Sequence, residues 1–230
     1  MIRVLRVALA AGAVAWACDA WAAPPEAQPA APEGATTVSF RMQGDEIKVP
    51  IPVGYCEPQD PYSDVAPRLD AMDSSTTFEA FYDCAEMAQH KLGRYVVLRT
   101  PRAWVLERKS RGPFLAEETK KARTNTLEDT EKAARAVAAV GSARLGKNIE
   151  LEMGLNYLGT DDVGVYRGGA GQSVTNGTER KFTMVGALTV IKGHPLGYLF
   201  YGSGSTAADL SNLLQMAKAE THRLTAANGG

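Results

Sequence analysis

Cys56 and Cys84 are the residues whose chemistry matters most to this chain. A cysteine pair can close a disulfide, exchange electrons or hold a metal. Redox pairs favour C-x-x-C spacing, and zinc sites add further cysteines or histidines at short intervals. Neither pattern is present here, so a structural disulfide between Cys56 and Cys84 is the expectation.

The three histidines, His90, His194 and His222, fall in no H-E-x-x-H. No G-x-S-x-G occurs, so a hydrolase would need a triad assembled from dispersed residues, for example His90 with Ser203 or Ser205. His194 is read in a hairpin turn and His222 near a helix C-terminus, where a basic residue is ordinary. Asp161-Asp162 is an adjacent carboxylate pair, which usually faces water unless further ligands join it. "GSARLGKN", residues 141–148, nearly matches a phosphate loop. However, a helical segment precedes it, and Asn148 stands where a hydroxyl would hold magnesium. The remaining candidate is "RGGAGQSVTNGTER", residues 167–180, read as a long Gly-rich loop between strands with Arg167, Gln172 and Asn176 as polar tips for a ligand. A flexible hairpin loop is the competing reading. Asn176-Gly177-Thr178 is formally a glycosylation sequon. No catalytic residue, metal ligand or cofactor is assigned.

Several elements must position these residues. "TTVSFRM" and "EIKVPI" read as short strands around a Gln43-Gly44-Asp45 turn, with Pro50 and Pro52 favouring an edge. "DVAPRLDAM" reads as a short helix, and "TTFEAFYDC" and "RYVVLRTP" as strands. "PFLAEETKKART" and "LEDTEKAARAVAAVGSARLG" read as helices. In the second, Ala133, Val137, Val140 and Arg144 share one face and Gly146 is the stop. "DVGVYRG" is a strand. "RKFTMVGALTVIKGHPLGYLFYG" is a hairpin joined at Gly193-His194-Pro195, with Phe182, Met184, Gly186, Leu188 and Val190 on one face of its first arm and Leu196, Tyr198 and Phe200 on one face of its second. A closing helix starts at Thr206 with Asp209 as a capping partner. It carries a stripe of Leu210, Leu213, Leu214, Ala217, Thr221 and Leu224, and ends at Asn228-Gly229. The fold class is therefore α+β: an antiparallel sheet with packed helices, in an α/β sandwich.

The first residues, "MIRVLR" followed by "VALAAGAVAWA", have the basic start and short apolar run of a secretory signal. Cleavage after Ala20-Trp21-Ala22 gives a signal over 1–22, a Pro/Ala-rich lead-in over 23–36 and one domain over 37–228. The alternative is a lipid anchor on Cys18, although Trp16 fits that pattern badly; an uncleaved anchor would leave Cys18 a loose thiol. Loss of two arginines and one aspartate with the signal moves the formal charge from −1 to −2. A nearly neutral surface exerts no long-range pull on nucleic acid or anionic lipid. No second apolar run approaches membrane length.

The "VPIPVGY" stretch and the late strand–hairpin–helix order resemble the PsbP/Mog1/DcrB-like α/β sandwich families. The pairing of "GYC" with "FYDC" is similar to exported bacterial proteins. The resemblance implies a role in binding proteins or supporting envelope or photosynthetic complexes, with no catalytic residues to carry over. The expected function is a non-catalytic exported, periplasmic protein that binds a protein or small ligand; the alternative is a secreted hydrolase.

Overall fold

A computed structural model describes residues 36–60, 62–63, 65–72 and 74–230. The signal segment, Cys18 and the lead-in up to residue 35 lie outside the described residues. Strands β1 (Thr37–Met42) and β2 (Asp45–Pro50) form a separate two-stranded antiparallel ribbon. The main sheet contains β3 (Tyr55–Cys56), β4 (Ser75–Asp83), β5 (Tyr95–Pro101), β6 (Ile149–Met153), β7 (Asn156–Thr160), β8 (Val165–Thr175), β9 (Thr178–Ile191) and β10 (His194–Ser203). Its order is β3-β4-β5-β10-β9-β8-β6, with β7 also paired to β8, and every pairing is antiparallel. Helices are α1 (Val65–Met72), α2 (Cys84–Ala88), α3 (Arg111–Thr124), α4 (Leu127–Leu145) and α5 (Ala207–Ala227).

Both faces of the sheet are covered. On one, Val185, Ala187, Leu196, Tyr198 and Phe200 pack with Leu213, Ala217 and Leu224 of α5 and with Met42, Ile47 and Val49 of the ribbon. On the other, Met184, Leu199 and Tyr201 meet Leu69 of α1 and Ala134 and Ala138 of α4, while Val165, Leu188 and Val190 meet Phe114 and Leu115 of α3. The result is the α+β sandwich expected from the order of elements. Its closing helix has the Thr206–Asp209 capping box, with Asn228 as C-cap.

Three local expectations are corrected: the position of the β9–β10 turn, the buried face of α4 and the long loop over residues 167–180. The β9–β10 turn is Lys192-Gly193, with φ of 49° and 86°, so His194 is the first residue of β10 and is fully buried. That turn pairs Val190 with Pro195 and Leu188 with Gly197. The two apolar rows of the hairpin therefore face opposite sides of the sheet, because directly paired residues share a face. On α4, Ala134 and Ala138 turn inward, Ala133 and Val137 flank them, and Val140 is 39% exposed. Small side chains let the helix approach β6 closely, where Ser142 Oγ bonds both the N–H and C=O of Ile149. Finally, residues 149–160, which carried no assignment, form β6 and β7, and residues 167–180 are strand and turn rather than a long loop.

Candidate functional site

The cysteines are joined, with Cα atoms 5.3 Å apart. Pairing of Tyr55 with Asp83 and Cys56 with Tyr82 brings β3 alongside the end of β4, and Cys84 opens α2 directly afterwards. Around the bond, Asp83 Oδ1 accepts from Glu86 N–H at 2.9 Å and Asp83 Oδ2 pairs with Arg94 at 2.9 Å. Glu86 accepts from the Gly93 and Arg94 amides, both at 2.7 Å. The disulfide belongs to a hydrogen-bonded corner that holds a short edge strand in place.

Arg167, Gln172 and Asn176 do not form a common loop tip. They lie along β8 and its turn, where the nine-residue rise from Arg167 to Asn176 separates the ends by about 30 Å. Arg167 is half-buried and donates to the Leu155 carbonyl at 3.5 Å. Burial holds its guanidinium below its ordinary pKa, against the opposing charge of Glu118. Gln172 donates to Glu152 at 2.8 Å across the β6–β8 pairing. Asn176 Oδ1 accepts from Asn148 N–H at 3.2 Å, and Asn176 with Gly177 makes the two-residue turn, with φ of 49° and 83°. Positive φ at both turn positions favours Asn-Gly there, which is the pattern's own signal. "GSARLGKN" is the end of α4, with Gly146 as a left-handed cap at φ 63°; the helix precedes it and β6 follows.

The histidines have acids or a phenol beside them. His90 Nδ1 lies 3.5 Å from the Tyr62 hydroxyl, and among the described residues no hydrogen bond joins His90 to Ser203 or Ser205. His194 Nε2 is 2.9 Å from Asp45 Oδ2, which Arg108 also meets at 2.7 Å. An ionised carboxylate only accepts, so Nε2 carries the proton, and the buried Nδ1 has no hydrogen-bond partner. The His194 hydrogen bond, followed by the hydrogen bond and charge of Arg108, holds the Asp45 carboxyl below its ordinary range against opposing desolvation. This contact latches the β1–β2 turn onto the β9–β10 turn. Lys192 Nζ adds a bond to the Glu46 carbonyl at 2.7 Å. His222 Nε2 lies 3.4 Å from Asp161 Oδ2 and 4.0 Å from Asp162 Oδ1. Thus Asp161-Asp162 gains a third group from α5 that its sequence neighbours do not supply.

A pocket of about 380 Å³ opens beside that latch. Its wall includes Lys109, Ser110, Arg111 and Lys192, with Asn228 at the end of α5. Ser110 is the N-cap residue of α3, but its side chain makes no capping bond. The first amides of the helix thus lack a side-chain acceptor, and the helix dipole adds positive potential there. Lys109 pairs with Glu107 at 3.0 Å. Arg111 donates to the Val190 carbonyl at 3.1 Å, and among the described residues no carboxylate side chain pairs with Arg111 or Lys192. Sequence reasoning missed this site. Lys109-Ser110-Arg111 was a visible basic run, but Lys192 joins it only through the β9–β10 turn. No family model matches the chain, and no curated protein matches it significantly in sequence.

Proposed function

We propose that this chain is an exported, periplasmic binding protein without a reaction of its own, and that it holds a small anionic ligand in the pocket at the start of α3. The observation that carries the reading is the convergence of Lys109, Arg111 and Lys192 on one cavity of about 380 Å³. That volume falls within the usual range for small-molecule sites. Among the described residues Lys192 has no carboxylate side chain to neutralise it, Arg111 lies against Gly230 in the same wall, and uncapped helix amides suit a carboxylate or phosphate group. Export is supported by the amino-terminal signal pattern and by the Cys56–Cys84 bond, since such bonds persist in oxidising compartments. Among the described residues no helix is long and apolar enough to cross a membrane. A non-catalytic envelope role is also what the resemblance to the PsbP/Mog1/DcrB-like sandwiches implies.

Titration calorimetry with inorganic phosphate and with citrate, using glucose as an uncharged control, tests the ligand class. Saturable binding of an anion is expected, weakened about tenfold or more in Arg111→Gln and in Lys192→Ala, as loss of a charged hydrogen-bond donor implies. Unchanged affinity in the double variant, or no saturable binding of either anion, removes the pocket from the reading. Intact mass of the protein from the envelope fraction tests export separately: the expected amino terminus is Ala23 or Pro24.

A further inference from the structure

The β7–β8 connection and α5 build a second site, at a place with no part in the anion pocket. We infer that Asp161, Asp162 and His222 form a binding site for a divalent transition-metal cation of the zinc type. Asp161 is held rigidly. Its Oδ1 accepts from the amides of Val163 and Gly164 at 3.1 and 2.9 Å and from the Tyr166 hydroxyl at 3.2 Å. Those bonds leave Oδ2 directed at His222 Nε2, 3.4 Å away. The Asp162 Oδ1 atom lies 4.0 Å from the same nitrogen, and the ligand atoms of all three residues fall within 4.8 Å of one another.

These separations can be compared with what a metal requires. Zinc bonds of about 2.0–2.1 Å in a tetrahedral site put neighbouring ligand atoms about 3.3–3.4 Å apart. The Asp161–His222 separation already matches. The Asp162–His222 separation must shorten by roughly 0.6–0.7 Å, and the other distance to Asp162, within 4.8 Å, must also close on that spacing; movement of the Asp162 side chain can supply both. Its side chain is 83% exposed and makes no hydrogen bond among the described residues. One imidazole nitrogen with two carboxylates favours zinc, nickel or copper over magnesium or calcium, which prefer oxygen donors alone. Two carboxylates beside a neutral imidazole also match a doubly charged cation. A fourth position, facing solvent, is left for water. Lys218, one turn before His222 on α5, is the competing positive charge; its Nζ sits over the Tyr166 ring, 5.6 Å from the centroid. The bound ion would pin α5 to the β7–β8 connection through side chains remote in sequence.

Zinc titration of the untagged, chelator-stripped protein tests the site. One zinc ion per chain is expected to bind with micromolar affinity and to raise the melting temperature. His222→Ala and Asp162→Asn are each expected to weaken binding about tenfold or more, because metal sites lose that much with one ligand or its support. Both side chains are exposed, so neither change should disturb folding, and far-UV circular dichroism verifies this. His90→Ala should bind zinc as the wild type does. No saturable binding at millimolar zinc, or equal affinity in His222→Ala and wild type, overturns the inference and leaves a surface histidine–aspartate ion pair.

Discussion

Glu79 lies half-buried on β4, just past the irregularity in register between Thr77 and Glu79. Burial, and secondarily the charge of Glu57, push its carboxyl from the ordinary 4.5 up to about 7. The folded pKa is above the unfolded one, so the fold favours the protonated acid. Its contribution to stability is complete below about pH 4.5 and is lost as pH rises through about 7. Glu79→Gln keeps the neutral shape and removes the charge. It is expected to stabilise the protein at pH 8 by about 1–2 kcal/mol, after allowance for solvent screening, and to change little at pH 4. Denaturant midpoints at the two pH values check this, and an equal shift at both would contradict a buried-charge effect. Asp45 has the opposite sign: its lowered pKa adds stability above the ordinary carboxylate range, lost as acid protonates it and loosens its bond to His194.

At the level of elements, the glycines of β8 show why a segment can look like a loop and be a strand. A Cβ on Gly169 would collide with the carbonyl oxygen of Gly154, at the bend between β6 and β7. β8 is in register with β6 up to Gly171 and with β7 from Gly168, so its backbone cannot move aside. Gly169→Ala is therefore expected to cost about 2–4 kcal/mol, the scale of overpacking in a fixed site. A wild-type denaturation midpoint for this variant would mean that the two backbones are not so close. On the other face, α5 docks through Leu213, Ala217 and Leu224, and Asn228 exchanges hydrogen bonds with the N–H and C=O of Lys48 at 2.9 and 2.7 Å. Leu224→Ala, at a fully buried position, is expected to cost about 2–5 kcal/mol in equilibrium unfolding. A much smaller loss would show that α5 adjusts its packing.

For the molecule as a whole, the Cys56–Cys84 bond closes a sequence separation of 28 residues and ties β3 to the start of α2. A crosslink of that length restricts the unfolded chain, worth about 3–4 kcal/mol in the chain-entropy account. Cys56→Ser is expected to lower stability about as much as the Cys56→Ser, Cys84→Ser double variant does, since either change removes the same bond. Thiol titration of the denatured, unreduced chain should find at most one free cysteine, Cys18. Two or more reactive thiols would show that the bond does not form in solution.

The sequence by itself determined the main element types outside residues 149–180, the antiparallel β9–β10 hairpin, both ends of α5 and the cysteine pair. Each rests on short-range physics: alternation along β9 and β10, a Thr–Asp box three residues apart, and two cysteines whose spacing disfavours exchange or metal chemistry. The tertiary structure decided which faces meet. The Lys192-Gly193 turn set the two rows of the hairpin on opposite sides, and helix–sheet contact selected Ala134 and Ala138 over Val140. It also changed the meaning of individual residues. The glycines of β8 serve close backbone approach, and His194 serves a buried latch. Both candidate sites depend on distant pairs: Lys192 comes to α3 through a strand turn, and His222 comes to Asp161 across the β7–β8 connection. Local patterns specify the backbone shape of a segment, whereas a site is a sum of side chains whose separations are fixed only when the sheet has paired and the helices have packed.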